Sequence, residues 1–367
     1  MRAVILSHEY ADPTRRGKLR ALAGLGCAIT AAIPGGEGGI DGGIRLAPVA
    51  TRGDAAAPAR LAWSRRGLET LLRDVRPDLI QVEAEPETPA AAAALAAAHK
   101  AGVPAVAFSW ESLPRAYSYF ERRRRRLVLG QVGGVIGGNR MATALLRAEA
   151  PGALHATIPQ FGVAMAPPVA RPERSGLAIG FVGRLVPERG ADLVLRACNQ
   201  LMGHWTLAVL GTGPEQEGLE ELAQRLGLAS RLRWLGGAGR AELEQLWADI
   251  DVLVVPSRAT TTWVDRFNPV LVEAMSRGLA AVVTDTGALP EIVADAGIVV
   301  SDLDGLVLAL QQLLAEPARR QRLGQAARSR VLAGYSDAAI AEQTLGFWRE
   351  VAAAPHRTTL SPPGVVA

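Results

Sequence analysis

Short apolar runs alternate with longer amphipathic stretches along the first half of the chain. Nearly continuous runs such as Ala3-Val4-Ile5-Leu6 are typical of parallel strands that are buried on both faces. The longer stretches have helical spacing, and an alanine-rich one ends at Gly102, before Pro104. The pattern predicts strands over residues 3–7, 28–33, 79–82, 105–108 and 132–136, and helices over residues 19–25, 60–75, 89–101 and 113–129.

The alternation stops at residues 165–176, which are rich in proline and charge and have no clear period. It then starts again and continues almost to the end of the chain. The second half predicts strands over residues 178–182, 206–210, 232–235, 252–255, 281–284 and 298–300. Helices are predicted over residues 191–200, 215–226, 240–248 and 270–277, with more helix up to about residue 351.

Strands that are spaced by helices of this length form right-handed β-α-β units and a parallel sheet. The sequence therefore predicts an α/β protein with two tandem Rossmann-like domains that face each other across a cleft, where ligands would bind. The predicted divisions are residues 1–165 for the first domain, 166–176 for a linker, 177–335 for the second domain, 336–353 for a C-terminal helix that can pack back on the first domain, and 354–367 for a loose tail.

Composition and charge fit a globular chain with a large core. The chain has 367 residues, enough for two domains, and 49% of them are apolar. Its net charge of +4 comes from 40 basic and 36 acidic residues, so the charge does not indicate nucleic-acid binding. Lys18 and Lys100 are the only lysines, and the remaining basic residues are arginines. Two separated cysteines and the lack of a long apolar run predict a cytoplasmic protein without a transmembrane helix.

Several well-known catalytic and binding motifs are incomplete or absent. Gly211 and Gly213 begin like a dinucleotide fingerprint, but Gln216 stands where the third glycine is needed, which favours a tight turn. The glycine-rich residues 34–43 are expected to form a surface loop. The sequence has no P-loop motif and no G-x-S-x-G motif. The five histidines lack ligand spacing, so we predict that the protein holds no metal.

The stretch between residues 254 and 293 has the clearest chemical pattern. After a buried strand, a loop brings Asp265 and a helix begins near Pro269. The free N–H groups of Val270 and Leu271 at this helix start would form an anion site that suits a diphosphate. A carboxylate is unfavourable beside phosphate, so we expect Asp265 and Glu273 to accept hydrogen bonds from sugar hydroxyls.

Three patterns follow one another in order between residues 177 and 300. They are Phe181-Val182-Gly183-Arg184-Leu185-x-x-Glu188-Arg189-Gly190, then Leu210-Gly211-x-Gly213-Pro214, and then Asp265-x7-Glu273-Ala274-Met275-x-x-Gly278. This combination resembles family 4 glycosyltransferases, which are retaining enzymes of the GT-B fold that use nucleotide sugars. The last pattern is similar to the E-x7-E region of that family. The first half of the chain resembles the family more weakly.

The resemblance implies a donor site in the second domain. Arg184 and Arg189 would hold the donor diphosphate, since both are permanently charged and can bind two oxygens at once. The family usually has a lysine at the second of these positions. Glu273 would bind the donor ribose hydroxyls. The base would lie on backbone groups near Leu235 and Gly236.

The resemblance also implies how the reaction is catalysed. Arg184, Arg189 and helix N–H groups, including those of Val270 and Leu271, would stabilise the leaving diphosphate. Asp265 stands where the family has Glu, and it would face the sugar or the reacting centre. Its side chain is one methylene shorter than that of the family residue.

The acceptor would bind to the first domain, where the chain departs from the family pattern. The family often has a Gly-Gly loop after the first strand, and this chain has a single glycine there. Many relatives have a His after a mid-domain strand, where this chain has Ser109-Trp110-Glu111. Glu83 and Glu85 follow another strand and are expected to point towards the cleft. The candidate acceptor-binding residues are His8, Gly17, Lys18, Glu83, Trp110, Glu111 and Asn139.

The resemblance implies a retaining, metal-independent glycosyltransferase that moves a sugar from a nucleoside-diphosphate sugar to a hydroxyl acceptor. The acceptor would be a sugar, a lipid-linked sugar or a small molecule, and the product a polysaccharide, glycolipid or glycoconjugate. A UDP-sugar is the expected co-substrate, with no cofactor. Two alternatives stay open: a nucleotide-sugar epimerase or hydrolase on the same fold, and a catalytically degenerate scaffold protein.

Five consecutive arginines lie between Phe120 and Leu127. On a helix they would go most of the way round, which favours a solvated stretch over a distinct membrane-binding face. The alternative is attraction to anionic lipid, at about 1 kcal/mol per basic residue near the surface. A cytoplasmic protein with peripheral contact at the inner face of the membrane is therefore the second hypothesis.

Overall fold

The computed structural model describes residues 1–53, 60–168, 175–237 and 239–354. Contacts divide the chain into two compact units, of which unit 1 is Met1–Gly162 with Asp337–Ala367 and unit 2 is Val163–Ser336. Within the predicted linker, residues 169–174 lie outside the described residues. The predicted tail lies outside them from residue 355 onward.

Parallel strands and helices alternate through both units. The strands are β1 (Arg2–Leu6), β2 (Ala28–Pro34), β3 (Gly39–Asp41), β4 (Ile44–Val49), β5 (Thr51–Arg52), β6 (Ala62–Trp63), β7 (Leu79–Val82), β8 (Ala105–Ser109), β9 (Gly134–Gly137), β10 (Leu154–Thr157), β11 (Leu177–Val182), β12 (Trp205–Leu210), β13 (Leu232–Trp234), β14 (Val252–Val255), β15 (Ala280–Thr284) and β16 (Ile298–Val300). The helices are α1 (Gly17–Gly24), α2 (Arg65–Val75), α3 (Pro89–Ala101), α4 (Tyr119–Leu129), α5 (Arg140–Glu149), α6 (Ala191–Asn199), α7 (Gln216–Arg225), α8 (Arg240–Asp249), α9 (Pro269–Ser276), α10 (Leu289–Val293), α11 (Leu303–Ala315), α12 (Pro317–Gly334) and α13 (Asp337–Ala353).

Unit 1 is built on an eight-stranded sheet in the order β10-β9-β8-β7-β1-β2-β4-β3. The pairs are parallel except for the β3–β4 hairpin, and β1 is central, with Ala3 opposite both Ile29 of β2 and Leu79 of β7. The last helix, α13, packs against this unit. Its fully buried Ile340 and Trp348 belong to the same apolar cluster as Ile5 of β1. The other face of the sheet is covered by a cluster that includes residues of α2, α3 and α4.

Unit 2 has a six-stranded parallel sheet in the order β13-β12-β11-β14-β15-β16. An apolar cluster covers each face, one including residues of α6 and α11 and the other including residues of α9 and α12. The predicted elements of this half agree with the structure to within a residue or two, because its strands are short, buried apolar runs.

Three predictions in the first half are corrected. The helix predicted over residues 60–75 begins at Arg65, because the Ser64 side chain accepts from the Gly67 amide and caps it. The helix predicted over 113–129 begins at Tyr119, where Ser118 and Glu121 form a capping box. The expected loop over residues 34–43 contains β3 and the turn of a hairpin, in which Gly42 and Gly43 have positive φ angles of 55° and 85°. Helix α5 and strands β4, β5, β6 and β10 of unit 1 were not predicted, and neither was helix α10 of unit 2.

Each sheet has one point where the strand order reverses. In unit 1 it lies between β1 and β7, and in unit 2 between β11 and β14. At such a point the loops after the two central strands turn to opposite faces of the sheet and leave a crevice between them. The carboxyl ends of these four strands are therefore where each unit can place a ligand.

Candidate functional site

The crevice of unit 2 is formed by the loops after β11 and β14. Gly190 ends the first loop with a φ of 67°, and a Cβ there would overlap the Pro256 carbonyl oxygen. The Arg258 amide also donates to the Glu188 carbonyl oxygen, at 2.8 Å. The Arg258 side chain forms a two-armed ion pair with Asp192 at 2.8 Å on each arm. The two loops are thus in direct contact at the carboxyl end of the sheet.

Arg189 and Asp265 face each other across these loops. Arg189 Nη1 donates to Asp265 Oδ2 at 2.8 Å, and the same oxygen accepts from Ser257 Oγ at 2.9 Å and Asn268 Nδ2 at 3.2 Å. Asp265 is 2% exposed, whereas the Arg189 side chain is 31% exposed. The carboxylate therefore orients the guanidinium, while the Arg189 side chain stays partly exposed.

The indole of Trp263 lies beside the same arginine. The Arg189 Cζ is 5.2 Å from the centroid of the Trp263 ring. The ring is half-buried and belongs to the loop that carries Asp265. Trp263, Ser257 and Asn268 were not predicted as site residues, because none of them stands at a position that the family motif defines.

Arg184 lies earlier in the loop after β11, and its side chain is exposed. The next residue, Leu185, is fully buried and anchors the loop. A Cβ at Gly211 would overlap the Gly183 carbonyl oxygen, and one at Gly213 would overlap that of Leu185. The incomplete fingerprint at Gly211 and Gly213 is therefore the tight turn that brings the loop after β12 against the one that carries Arg184.

Helix α9 starts beside this crevice, and its capping corrects one expectation. The Leu271 amide was expected to be free for an anion, but it donates to Asn268 Oδ1 at 2.9 Å. The Asn268 side chain thus binds one of the two amides that were predicted to hold an anion. Val270, which carries the other, is half-buried in the first turn of α9.

Glu273 lies one turn into α9 and is held by cationic and polar groups. Its Oε1 is 2.8 Å from Arg240 Nη1 and 3.3 Å from Arg277 Nη2, and it accepts from Trp247 Nε1 at 3.3 Å. Its side chain is 16% exposed.

Leu235 and Gly236 lie just after β13 and are half-buried. The Gly236 carbonyl oxygen accepts from the Gly211 amide at 2.8 Å. This contact joins the proposed base-binding backbone to the turn that supports Arg184.

The crevice of unit 1 contains a buried ion pair. Lys18 Nζ lies 2.5 Å from Glu83 Oε1, and the side chains are 1% and 0% exposed. Gln81 Nε2 donates to the same oxygen at 2.6 Å, and Gln160 Nε2 donates to Glu83 Oε2 at 3.0 Å. The polar groups of Lys18 and Glu83 are therefore paired with other protein groups. Because both side chains are buried, they could affect a bound acceptor only through the residues that contact them.

Trp110 is connected to this ion pair through Gln160. Its Nε1 donates to Gln160 Oε1 at 2.8 Å, and its ring lies edge-on to Phe108 at 5.3 Å. The ring also fills the space beside Gly138, where a Cβ would overlap it. Trp110 thus has a defined orientation at the carboxyl end of the sheet.

Glu85 follows β7 in the chain, and its side chain contacts the residues at the end of β8. It accepts from Ser109 Oγ at 2.5 Å and from the Trp110 amide at 2.8 Å. The pKa of the Glu85 carboxyl is raised to about 7, chiefly by burial and also by the negative charges of Glu87 and Glu111, against the lowering effect of these hydrogen bonds. This carboxyl thus has a pKa near neutrality and contacts Trp110, one of the predicted acceptor residues.

The other candidate acceptor residues have structural partners. Glu111 is buried, with Oε2 3.4 Å from Arg115 Nε. Asn139 caps α5 by accepting from the Ala142 amide at 2.8 Å. His8 is half-buried, with Nε2 3.3 Å from Glu9 Oε1. A Cβ at Gly17 would overlap the Asp337 carboxylate, so this glycine lets α1 approach the start of α13.

Two other kinds of site are absent from the part of the chain that the structure describes. It contains no group of three or more His, Cys, Asp or Glu side chains that could hold a metal ion. It also contains no helix that is both long and apolar enough to cross a membrane. The requirement for metal and the place of the protein in the cell stay predictions.

Solved structures with a similar fold align with almost the whole chain. Sucrose-phosphate synthase from Thermosynechococcus elongatus has a TM-score of 0.69 and 18% sequence identity, over 96% of this chain and 99% of that one. The Anabaena protein HepE, solved with UDP, has a TM-score of 0.69 and 18% identity, over 95% of this chain and 100% of that one. At this identity the likeness shows the fold, which is the GT-B fold with two Rossmann-like domains.

Curated relatives match about two fifths of the chain. A GDP-mannose-dependent alpha-(1-6)-phosphatidylinositol monomannoside mannosyltransferase of Mycolicibacterium smegmatis is 34% identical over 169 residues, which are 42% of this chain and 44% of the relative. A D-inositol 3-phosphate glycosyltransferase of Mycobacterium ulcerans is 33% identical over 161 residues, which are 41% of this chain and 33% of the relative. The chain thus spans less than half the length of these relatives.

The match to a protein-family model lies within unit 2. Residues 171–330 match the model described as glycosyl transferases group 1. These residues include both arginines of the loop after β11 and the Asp265–Glu273 pair. Unit 2 is therefore the part of this chain that matches the group 1 glycosyl transferases.

Proposed function

We propose that this protein is a retaining glycosyltransferase that transfers a sugar from a nucleoside-diphosphate sugar to a hydroxyl acceptor. The observation that carries the proposal is the pair Arg184 and Arg189 at the strand-order reversal of unit 2, within the residues that match the group 1 glycosyl transferases. One arginine is exposed and the other is oriented by Asp265. Two guanidinium groups at a crevice of a parallel sheet suit a diphosphate.

The proposed chemistry follows from the charges. As the bond between the sugar and the diphosphate breaks, negative charge grows on the leaving oxygens. Arg184 and Arg189 would stabilise that charge without a metal ion. Asp265, held by three donors, would keep Arg189 in place and lie near the sugar. Glu273 would bind the ribose, and the backbone near Leu235 and Gly236 the base, as in family 4.

The donor is proposed as a class, with two members to test first. A UDP-sugar is the first choice, and the solved Anabaena protein contains UDP. A GDP-sugar is the second, because the Mycolicibacterium relative is named as GDP-mannose-dependent. The acceptor is proposed to bind in unit 1 near Trp110, Glu85 and Glu111, and to be a sugar, a lipid-linked sugar or a small molecule. The product would belong to polysaccharide, glycolipid or glycoconjugate biosynthesis in the cytoplasm.

The direct test is product analysis with UDP-glucose and GDP-mannose, with and without simple glycoside and inositol acceptors. We expect release of the nucleoside diphosphate to depend on an acceptor, and the anomeric coupling in the product to match that of the donor. An inverted linkage would contradict retention. Isomerised or free sugar without any acceptor would support the epimerase or hydrolase alternative instead.

We also propose that the protein contacts an anionic membrane through α4. Tyr119, Phe120 and Leu127 of this helix are 73%, 67% and 52% exposed, and Tyr119 and Phe120 lie edge to face with centroids 5.5 Å apart. Arg122, Arg123 and Arg126 are exposed on the same helix. Exposed aromatic rings beside arginines suit the boundary between lipid headgroups and acyl chains.

The sequence favoured a solvated stretch for the whole arginine run, and the structure corrects this for two of the five arginines. Arg125 is 3% exposed and pairs with Glu87 at 2.9 Å and Glu149 at 2.6 Å. Arg124 Nε donates to the Glu87 carbonyl oxygen at 2.6 Å. These two arginines fix the inner side of α4, and the other three remain on the outer side with the aromatic rings.

Flotation with phosphatidylglycerol-containing vesicles tests this contact. The triple variant R122E/R123E/R126E should lose binding that the wild type shows at low salt. The matched control R66E/R73E/R322E makes the same change of charge at exposed arginines elsewhere, and it should still bind. Equal loss in both variants would mean that net charge alone drives binding, and no wild-type binding would remove the proposal.

A further inference from the structure

The loop between β14 and α9 holds the Arg189 guanidinium between two partners. On one side the Asp265 carboxylate accepts its Nη1–H at 2.8 Å. The Trp263 ring is the second partner, with its centroid 5.2 Å from Arg189 Cζ. A planar guanidinium can lie over an indole and still donate N–H bonds at its edge.

The position of Trp263 is fixed by a turn within its own loop. The Thr260 amide donates to the Trp263 carbonyl oxygen at 2.8 Å, and the Trp263 amide donates back to Thr260 Oγ1 at 3.0 Å. The Thr262 amide reaches the same hydroxyl at 3.3 Å. These bonds close the turn from both ends, so they restrain the backbone that carries the ring.

The other partner of the arginine is equally restrained. Asp265 Oδ2 also accepts from Ser257 and Asn268, and the residue is 2% exposed. The Asp265 carbonyl oxygen accepts from the Ala288 amide at 2.7 Å. Arg189 therefore contacts a restrained carboxylate and a ring on a restrained turn, while part of its side chain stays exposed.

We propose that Trp263 is a positioning residue for the donor diphosphate, acting through Arg189. The inference rests on the proposed function, since it takes Arg189 to bind the diphosphate. An arginine that is already held in one orientation loses less side-chain freedom when it binds a ligand. A lysine at position 189 could keep the ion pair with Asp265, but its ammonium would lack the planar face that lies over the ring.

Titration calorimetry with UDP and GDP tests the proposal on the whole chain. With whichever nucleotide binds the wild type more tightly, Trp263→Leu should raise Kd about five- to tenfold. Trp263→Phe keeps an aromatic ring and should stay within about twofold of the wild type. Arg189→Ala should raise Kd about a hundredfold.

The double variant W263L/R189A separates positioning from a structural role. If the ring acts through Arg189, the double variant should bind like Arg189→Ala alone, because the ring no longer has a guanidinium to hold. If Trp263→Leu weakens binding by the same factor in both backgrounds, the inference is overturned. Arg231→Ala is the control, since it removes a similar stack, 5.0 Å from the Trp205 ring at the start of β12, and should leave Kd unchanged.

The outcomes distinguish the inference from the function on which it rests. If no nucleoside diphosphate binds the wild type, with ADP and dTDP tried after UDP and GDP, or if Arg189→Ala binds as well as the wild type, the proposed diphosphate site fails and the inference fails with it. If Arg189→Ala binds weakly but Trp263→Leu binds like the wild type, the inference alone is overturned.

Discussion

At the scale of single residues, the two arginines of unit 2 have different environments. Arg189 is held by the Asp265 carboxylate and the Trp263 ring, whereas the side chain of Arg184 is exposed in the same loop. The charge of Arg189 is already partly balanced by its carboxylate. Arg184 is therefore the group with more charge to offer a leaving diphosphate.

Arg184→Ala should lower kcat for sugar transfer at least about a hundredfold, as the loss of one donor to a developing oxyanion does in acyl-transfer enzymes. The assay is the release of nucleoside diphosphate from the donor sugar. The control is Arg322→Ala, at an exposed arginine of α12. Turnover close to that of the wild type in Arg184→Ala would contradict the role of this residue.

The Glu85 carboxyl gives unit 1 a pH-dependent stability. Burial raises its pKa to about 7 in the folded protein. The unfolded chain has a lower pKa for this carboxyl, of about 4.3. The folded state therefore binds a proton more tightly, and this contribution to stability is present at low pH and is lost as the pH rises from the unfolded to the folded pKa.

Glu85→Gln should remove that dependence, because glutamine does not titrate. The free energy of unfolding of the variant, relative to that of the wild type, should be higher at pH 8 than at pH 5. Denaturant unfolding at the two pH values measures it. A difference between variant and wild type that is the same at both values would show that Glu85 titrates normally.

The candidate donor residues of unit 2 could be identified from the sequence for a clear reason. Arg184, Arg189, Asp265 and Glu273 stand in short motifs, so their positions can be read from spacing. Contacts such as Gln160 with Glu83, 77 residues apart in the chain, depend on which strands become neighbours. No local pattern indicates them, and this is why the burial of Lys18 and Glu83 was not predicted.

At the scale of elements, buried strands were easier to predict than helix starts. The strand 79–82 and the helix 89–101 agree with the structure residue by residue. Apolar runs define the strands, and Pro89 and Gly102 mark the ends of the helix. The starts of α2 and α4 depend instead on which of several polar residues caps the helix, and the apolar pattern does not show this.

Gly190 allows the loop after β11 to touch the loop after β14. Gly190→Ala should destabilise the protein by about 1–3 kcal/mol, because φ is positive there and the new Cβ would overlap the Pro256 carbonyl oxygen. The control is Gly218→Ala, within α7, where a Cβ meets nothing within 4 Å. That variant should be more stable than the wild type by up to about 1 kcal/mol.

Denaturant unfolding of both glycine variants provides the measurement. The two substitutions add the same methyl group, so opposite signs would locate the effect in the loop contact. Equal stability of the two variants would mean that the loops after β11 and β14 do not need to approach as closely as the structure places them.

At the scale of the whole molecule, unit 1 contains both the first and the last part of the chain, and unit 2 is formed by the residues between them. Each unit has its own sheet and its own apolar clusters. The returning helix, α13, covers part of the unit 1 sheet with Trp348, whose Nε1 also donates to Gln81 Oε1 at 2.6 Å. The stability of unit 1 therefore depends on the last helix of the described chain, whereas the proposed donor site lies in unit 2.

Trp348→Ala should lower the free energy of unfolding of unit 1 by about 3–5 kcal/mol, because it leaves a cavity and removes the donor to the Gln81 Oε1 atom. The affinity for UDP or GDP should stay unchanged under conditions in which the variant is folded. Thermal unfolding and nucleotide titration measure the two effects. Ile40→Ala, at a side chain that is 75% exposed, is the control. If Trp348→Ala also weakened nucleotide binding, the donor site would depend on unit 1 as well as on unit 2.

The central claim is that unit 2 binds a nucleoside diphosphate through its two arginines. The most direct test is a thermal-shift panel with UDP, GDP, ADP, dTDP and NAD, run on the wild type and on R184A/R189A. A ligand at about 100 times its Kd adds about 2.7 kcal/mol, which moves the midpoint by several degrees. We predict a shift with one nucleoside diphosphate in the wild type that is lost in the double variant. A shift with NAD alone, or the same shift in both proteins, would contradict the account.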